Sequence, residues 1–284
     1  MKKIILLMMV TIASIQLSRA NFPIGYGRWM LIPGYNYYNA KGYWDGKGGY
    51  NAYSNGGSFS SHYFGLYGGY GLSRRWNFLF NVPFVVQFDN NTQGTAAAPK
   101  SYLASGLGDA TVGLSYFFTD FDALNHVSLT GSLIVPLYAN KGKPYPNIGY
   151  QSVGGEVKLS FSGSATGGFR NPYYDMEFGI RQYFNNEGPT QLFANVTGGI
   201  PIDDYYKISG TLSGVNSFSS AATTTSTSQA FYNYNKSFDY VRAAFNVGRV
   251  INENTSIWGG LYADVFGTSV GRGSGLSVSA VFKF

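Results

Sequence analysis

At 284 residues and a formal charge of +6, the chain is only 12% charged but 18% aromatic, with 24 Tyr, 22 Phe and 38 Gly. Soluble domains carry about 25% charged residues, so this composition argues against an ordinary soluble globule. The absence of Cys excludes a disulfide framework, a lipidated amino-terminal Cys and thiolate chemistry, and cations spread without a basic run give no support for nucleic-acid binding.

Lys2 and Lys3 precede an apolar run from Ile4 to Leu17, followed by Ser18-Arg19-Ala20. This is the pattern of a secretory signal peptide, residues 1–20, cleaved after Ala20. The run is too short for a helical anchor, which needs about 20 apolar residues. Beyond it no segment holds the run of roughly 18 apolar residues that a membrane helix requires. Hydrophobicity is instead placed at alternate positions, as a barrel wall between lipid and a polar lumen demands. The expected fold is therefore all-β: a single transmembrane antiparallel β-barrel over residues 21–284, in the outer membrane of a Gram-negative bacterium.

Strands are expected near 27–40, 59–72, 76–88, 107–118, 127–139, 152–162, 173–184, 190–201, 205–216, 238–250, 256–266 and 275–284. That makes twelve, with ten or fourteen left open by the short turn at 185–189. The clearest outward faces are Phe78, Phe80, Val82, Phe84, Val86 and Phe88; Val127, Leu129, Leu133, Val135 and Leu137; and Val241, Ala243, Phe245 and Val247. Connections alternate between short turns such as 73–75 and long segments such as 41–58, 89–106 and 217–237. This is the asymmetry between periplasmic turns and extracellular loops. The last strand places Leu276, Val278, Ala280, Phe282 and Phe284 on one side, with Ser277, Ser279 and Lys283 on the other. The Ser/Thr tract from Ser219 to Ser228 reads as a surface loop.

The lumen is the complement of the lipid face. Glu156, Lys158, Asp175, Glu177, Arg181, Lys207, Arg242 and Asp264 fall there and are the candidate pore-lining residues. A charge on the lipid face costs about 2 to 4 kcal/mol at the midplane, so any barrel hides its charges this way. The sharper expectation is a mixed-charge network that narrows the pore. Trp29, Tyr35, Tyr37, Tyr70, Trp76, Tyr116, Trp258 and Tyr262 lie near strand ends, where aromatic girdles form. Tyr43, Trp44, Tyr50 and Tyr53 sit in a Gly/Asn-rich segment and are candidates for an apolar mouth.

Tyr70 to Trp76 (YGLSRRW), Asn81-Val82-Pro83-Phe84 and Gly106-Leu107-Gly108-Asp109, followed by alternating Val112, Leu114 and Tyr116, form a spaced set. The set resembles an outer-membrane transporter family associated with the phenol degradation meta-pathway. Val135-Pro136-Leu137 and Lys141 to Gly149 extend the likeness, which covers roughly residues 59–162. The resemblance implies a passive channel for small hydrophobic or aromatic molecules. The aromatic carboxyl terminus, Phe282 and Phe284, resembles the signal read by the outer-membrane assembly machinery. Expected partners are thus outer-membrane lipids, that machinery and a small-molecule solute.

Two other readings stand beside the channel. A non-conducting structural or adhesive barrel would use the Tyr/Gly/Asn and Ser/Thr loops to bind other surfaces. An outer-membrane phospholipase would need a His paired with Ser on the wall, and the chain offers only His62, on the outward side, and His126, in an expected periplasmic turn. No metal cluster, cofactor motif or catalytic residue is assigned from the sequence.

Overall fold

The computed structural model describes residues 23–90, 101–120, 125–139, 148–165, 171–184, 188–219 and 236–284. The leader, most of the Ser/Thr tract and most of the Lys141–Gly149 loop lie outside these residues. Alternation drives the chain into β1 (Trp29–Trp44), β2 (Tyr50–Ala52), β3 (Ser58–Gly71), β4 (Trp76–Asn90), β5 (Ser101–Leu107), β6 (Asp109–Asp120) and β7 (Asn125–Pro136). There follow β8 (Gly154–Ser164), β9 (Tyr173–Tyr183), β10 (Thr190–Pro201), β11 (Tyr206–Phe218), β12 (Phe238–Asn252), β13 (Thr255–Thr268) and β14 (Val270–Lys283).

Each wall strand pairs antiparallel with its neighbour, and β14 returns to pair with β1 from Met30↔Lys283 to Trp44↔Val270. Twelve strands close the wall, because β5 prolongs the line of β6 and β2 is a short arm hydrogen-bonded to the end of β1. The connection at 184–189 joins β9 directly to β10 at the long-loop end, which settles the count at twelve. Turns at 72–75, 202–205 and 253–254 occupy the pole that holds both β1's start and the carboxyl terminus, marking it as periplasmic.

Outward and inward sets agree with the alternation. Phe84, Leu129, Leu133, Phe245, Val247 and Val278 are exposed on the wall, whereas Ser128, Thr130, Ser160, Ser162, Ser277 and Ser279 are buried inside. Two girdle pairs form at the periplasmic edge, Trp29 on Tyr70 (4.7 Å) and Trp76 on Tyr116 (4.8 Å). Trp258 and Tyr262 do not join them. They share the parity of Asp264 and turn into the barrel, where Tyr262 donates to the Tyr37 carbonyl at 2.9 Å. The segment expected as a loop at 267–274 is mostly strand, with Ser269 alone between β13 and β14. His126 likewise stands in β7, opposite Asp120, rather than in a turn.

The wall is interrupted at one place. In an antiparallel ladder a residue's N–H and C=O point to the same neighbour. The Pro83 carbonyl accepts the Gly108 N–H at 2.9 Å, so Pro83 has no N–H to return to that side. The register shifts there by one residue, from Phe84↔Leu107 to Asn81↔Thr111. Above the shift β5 pairs only with β4, because β7 stops at Pro136 and its ladder to β8 stops at Ile134↔Gly154. Among the described residues β5 has no strand along its second edge.

Leu212, at the middle of β11, points outward and is about half exposed. Leu212→Arg should cost about 2 to 4 kcal/mol in urea unfolding from lipid vesicles, while Leu212→Ile leaves the midpoint nearly unchanged.

Candidate functional site: the lumen and its opening

Seven of the eight candidate pore-lining residues converge on the lumen across β8, β9, β12 and β13. Glu156 lies directly across from Arg181, whose Nε and Nη2 donate to Glu156 Oε2 at 3.0 and 2.6 Å. Lys158 faces Gly179, where no side chain intervenes, and reaches diagonally to Glu177 Oε1 at 2.5 Å. The second Glu177 oxygen accepts from Asn195 at 3.0 Å, and Asp175 accepts from Ser162 at 2.9 Å. Arg242 Nε donates to Asp264 Oδ1 at 2.7 Å, while Asp264 Oδ2 accepts from the Tyr38 hydroxyl at 2.8 Å. The Arg242 guanidinium stands 4.6 Å from the Tyr262 ring, 5.3 Å from Tyr38 and 5.5 Å from Tyr240. Lys207 is also inward but sits at the periplasmic end of β11, apart from these pairs.

A cavity of about 430 Å³ lies between this ionic wall and an opposite one of Phe59, Tyr63, Tyr67, Leu79, Pro83 and Val85. The cavity is therefore two-faced. Each cation that lines it, Lys158, Arg181 and Arg242, is paired with a carboxylate, Glu177, Glu156 and Asp264 respectively, and Asp109 adds a further carboxyl group to the lining. Gly108 and Ile148 continue the lining to the break above Pro83.

Asp109 and Tyr138 complete that region, and the search for charges within strands passed over both. The Tyr138 hydroxyl donates to Asp109 Oδ1 and accepts the Gln151 N–H, both at 2.9 Å. This ties the segment after β7 to the first residue below the register shift. Asp109 shares the inward parity opposite Val112, Leu114 and Tyr116, but in the sequence it reads as part of a Gly-Asp turn signal. Below the break, Gly131 and Gly155 leave an apolar groove on the outer face between Leu114, Leu133, Val157 and Ile180.

The mouth candidates separate into three environments. Tyr43 stacks on Tyr53 (5.8 Å), which is buried with Tyr38, Ala40, Phe59 and Tyr262 on the lumen side. Trp44 packs with Phe238 and Val270, and Tyr50 is exposed. They therefore form no single apolar mouth. Asp45 turns the hairpin between β1 and β2, its Oδ1 accepting the N–H groups of Gly49 (2.9 Å) and Lys47 (2.8 Å). Those donors hold its carboxyl below the usual range. His62 is outward as expected, and its Nδ1 shares a 2.9 Å hydrogen bond with the Tyr35 hydroxyl among Tyr37 and Phe88. Its partner is a phenol, not the serine of a hydrolytic dyad. His126 lies against Phe117. Phe282 faces outward opposite Leu31, and Phe284 exchanges backbone hydrogen bonds with Trp29.

No family profile matches the sequence, and no curated protein matches it. Among solved structures the chain is similar to an outer-membrane channel of Pseudomonas putida F1, at a TM-score of 0.71 and 12% identity over 95% of this chain and 100% of that one. This is an outer-membrane barrel fold. The barrel is also similar to the NanC porin (TM-score 0.50, 9% identity, 90% of this chain and 100% of that one). The translocator domain of the autotransporter NalP from Neisseria meningitidis matches at 0.50 and 8% identity, over 92% of this barrel and 89% of that domain.

Arg242→Met leaves Asp264 buried beside two hydroxyl-bearing rings without its cation, and should cost about 3 to 5 kcal/mol in urea unfolding. The double variant Arg242→Met/Asp264→Asn should recover most of that loss. For the hairpin, the lowered Asp45 carboxyl means its contribution is full above the ordinary carboxylate pKa and is lost as pH falls through the lower folded value. Amide exchange at Lys47 and Gly49 should accelerate over that acid window, and Asp45→Asn should remove the dependence.

Proposed function

We propose that this barrel is a passive, energy-independent channel for small molecules with a hydrophobic or aromatic body and a neutral polar group. The observation that carries the reading is the two-faced cavity, aromatic and apolar on β3 and β4, ionic but charge-matched on β8, β9 and β12, and reaching the break in the wall. A solute with one net charge must disturb the three ion pairs or face their matched charge without a partner. A neutral amphipathic one rests its ring on Tyr63, Tyr67 and Val85 and its polar end toward Arg181. Paired charges also make the lumen narrow, against general diffusion of large hydrophilic solutes, as a twelve-strand wall implies. The resemblance to the family linked with phenol meta-pathway degradation agrees with that chemistry.

The break supplies a second way out of the cavity. An apolar solute leaving between β5 and the segment after β7 passes sideways into the bilayer and need not cross the full polar lumen. Pro83 and Pro136 create this path by withholding ladder hydrogen bonds, Gly108 carries the register shift between them, and Tyr138 with Asp109 bridges it from the inside. The reading includes a cleaved leader at 1–20 and assembly through the Phe282 and Phe284 end of β14.

Flux through protein refolded in liposomes tests it. An aromatic alcohol should enter faster than a sugar of similar size, and Thr111→Trp, which fills the cavity, should slow the alcohol by on the order of tenfold. Gly106 and Ile148 approach closely enough for a Cβ on Gly106 to meet Ile148 Cδ1 at 3.2 Å. With no native Cys, Gly106→Cys/Ile148→Cys can be oxidised to hold the opening shut. The disulfide should slow aromatic flux and a reductant restore it. If neither solute crosses a folded, heat-modifiable barrel, the channel reading fails and the structural barrel takes its place.

A further inference from the structure

The outer surface near the β14–β1–β3 seam changes character at one level. Leu276, Tyr37 and His62 are register partners on the outward face, and the next outward trio, Ser274, Asn39 and Ser60, is wholly polar. On these three strands the surface turns polar at this step, whereas Val265 and Phe266 on β13, level with Arg272, are still exposed and apolar. Arg272 is the next outward residue on β14, about 7 Å farther along the strand, at the depth of lipid headgroups.

Arg272 is exposed there and held from both sides. Its guanidinium carbon lies 4.9 Å from the Tyr50 ring and 5.6 Å from the Trp44 ring. Its partner on β1 is Gly42, whose missing side chain lets the Tyr50 ring lie across the backbone, since a Cβ there would meet Tyr50 at 2.7 Å. Lys41 is exposed beside Gly42, and Lys47 rides on the hairpin turn. The one carboxylate of this arm, Asp45, is turned onto its own backbone and Asn51. Among the described residues Arg272 has no carboxylate partner.

We propose that Arg272 and Lys41, with the exposed face of Tyr50, form a binding site for the phosphorylated saccharide headgroup of an outer-leaflet glycolipid. A guanidinium fixed between two rings keeps its planar donor fork for a phosphate. The Tyr50 ring and the amide and hydroxyl groups of Asn39, Ser60 and Ser274 suit sugar faces and hydroxyls. Directly below, the apolar band receives the acyl chains. Depth, charge and polarity thus select a phosphate carried on sugar and anchored by lipid, over a soluble anion.

Native mass spectrometry of the detergent-purified barrel tests the assignment, with bisphosphorylated lipid A, its dephosphorylated form, phosphatidylglycerol and glucose 1-phosphate as probes. Bisphosphorylated lipid A should be retained over the other three. Each cation removed, Arg272→Gln or Lys41→Gln, should weaken retention about fivefold, and Arg249→Gln at the periplasmic pole should not. Equal retention of dephosphorylated lipid A, or of the double variant and the unaltered protein, overturns the proposal. So does equal retention of phosphatidylglycerol, which indicates unselective anion attraction, or displacement by glucose 1-phosphate, which indicates a soluble ligand. Heat-modifiable migration checks the fold. Should the double variant not fold, Arg272→Lys, which keeps the charge and loses the fork, must show an intermediate loss for the assignment to stand.

Discussion

A peptide group inside hydrocarbon has no hydrogen-bond partner except another peptide group, and this requirement orders the whole molecule. It forces β14 back onto β1 so that neither edge is left bare. Closure in turn divides every strand into a face for lipid and a face for the lumen, and the lumen becomes the place where charge is cheap. Glu156, Arg181, Lys158, Glu177, Arg242 and Asp264 are inside for that reason before any question of transport arises. What closure does not dictate is their pairing. Each cation meets a carboxylate, and the Arg242–Asp264 pair is further wrapped by three tyrosine rings.

Against that background the second edge of β5, along which no strand lies among the described residues, is set by specific residues. Pro83 withholds a donor, Gly108 takes up the shift, and Pro136 lacks the N–H that would continue β7 toward β8. Three coordinated departures from the ladder differ from a frayed strand end. They place this interruption beside Gly108 and Ile148, which line the cavity. The Tyr138 hydroxyl ties the first residues after β7 to Asp109 on β6.

Strand positions were legible because period-two alternation is strongest where lipid and water are both close. β10 falls at 190–201 as expected, and the outward faces of β4, β7 and β12 agree residue by residue. The failures share a cause, which is glycine. Gly271, Gly273 and Gly275 look like a loop because strands disfavour glycine. In the barrel the space left by Gly273 and Gly275 admits the rings of Tyr38 and Tyr262, which stack at 6.4 Å. Gly108 reverses parity without a sequence mark, so β5 was absorbed into a loop. Inward charges could be named from parity alone, but partners need register: nothing in the sequence tells that Lys158 skips Gly179 to reach Glu177.

The same division explains why the tyrosines singled out in the first long connection do not act together. The bulge between Ala40 and Gly42 shifts the β1–β14 register by one residue, from Ala40↔Gly273 to Gly42↔Arg272. Tyr43 stacks on Tyr53, while Trp44, buried against Phe238 and Val270, and the exposed Tyr50 hold the Arg272 guanidinium between their rings. One irregularity at the extracellular rim thus serves two surfaces, packing the top of the lumen with aromatic rings and presenting an orphan guanidinium to the membrane.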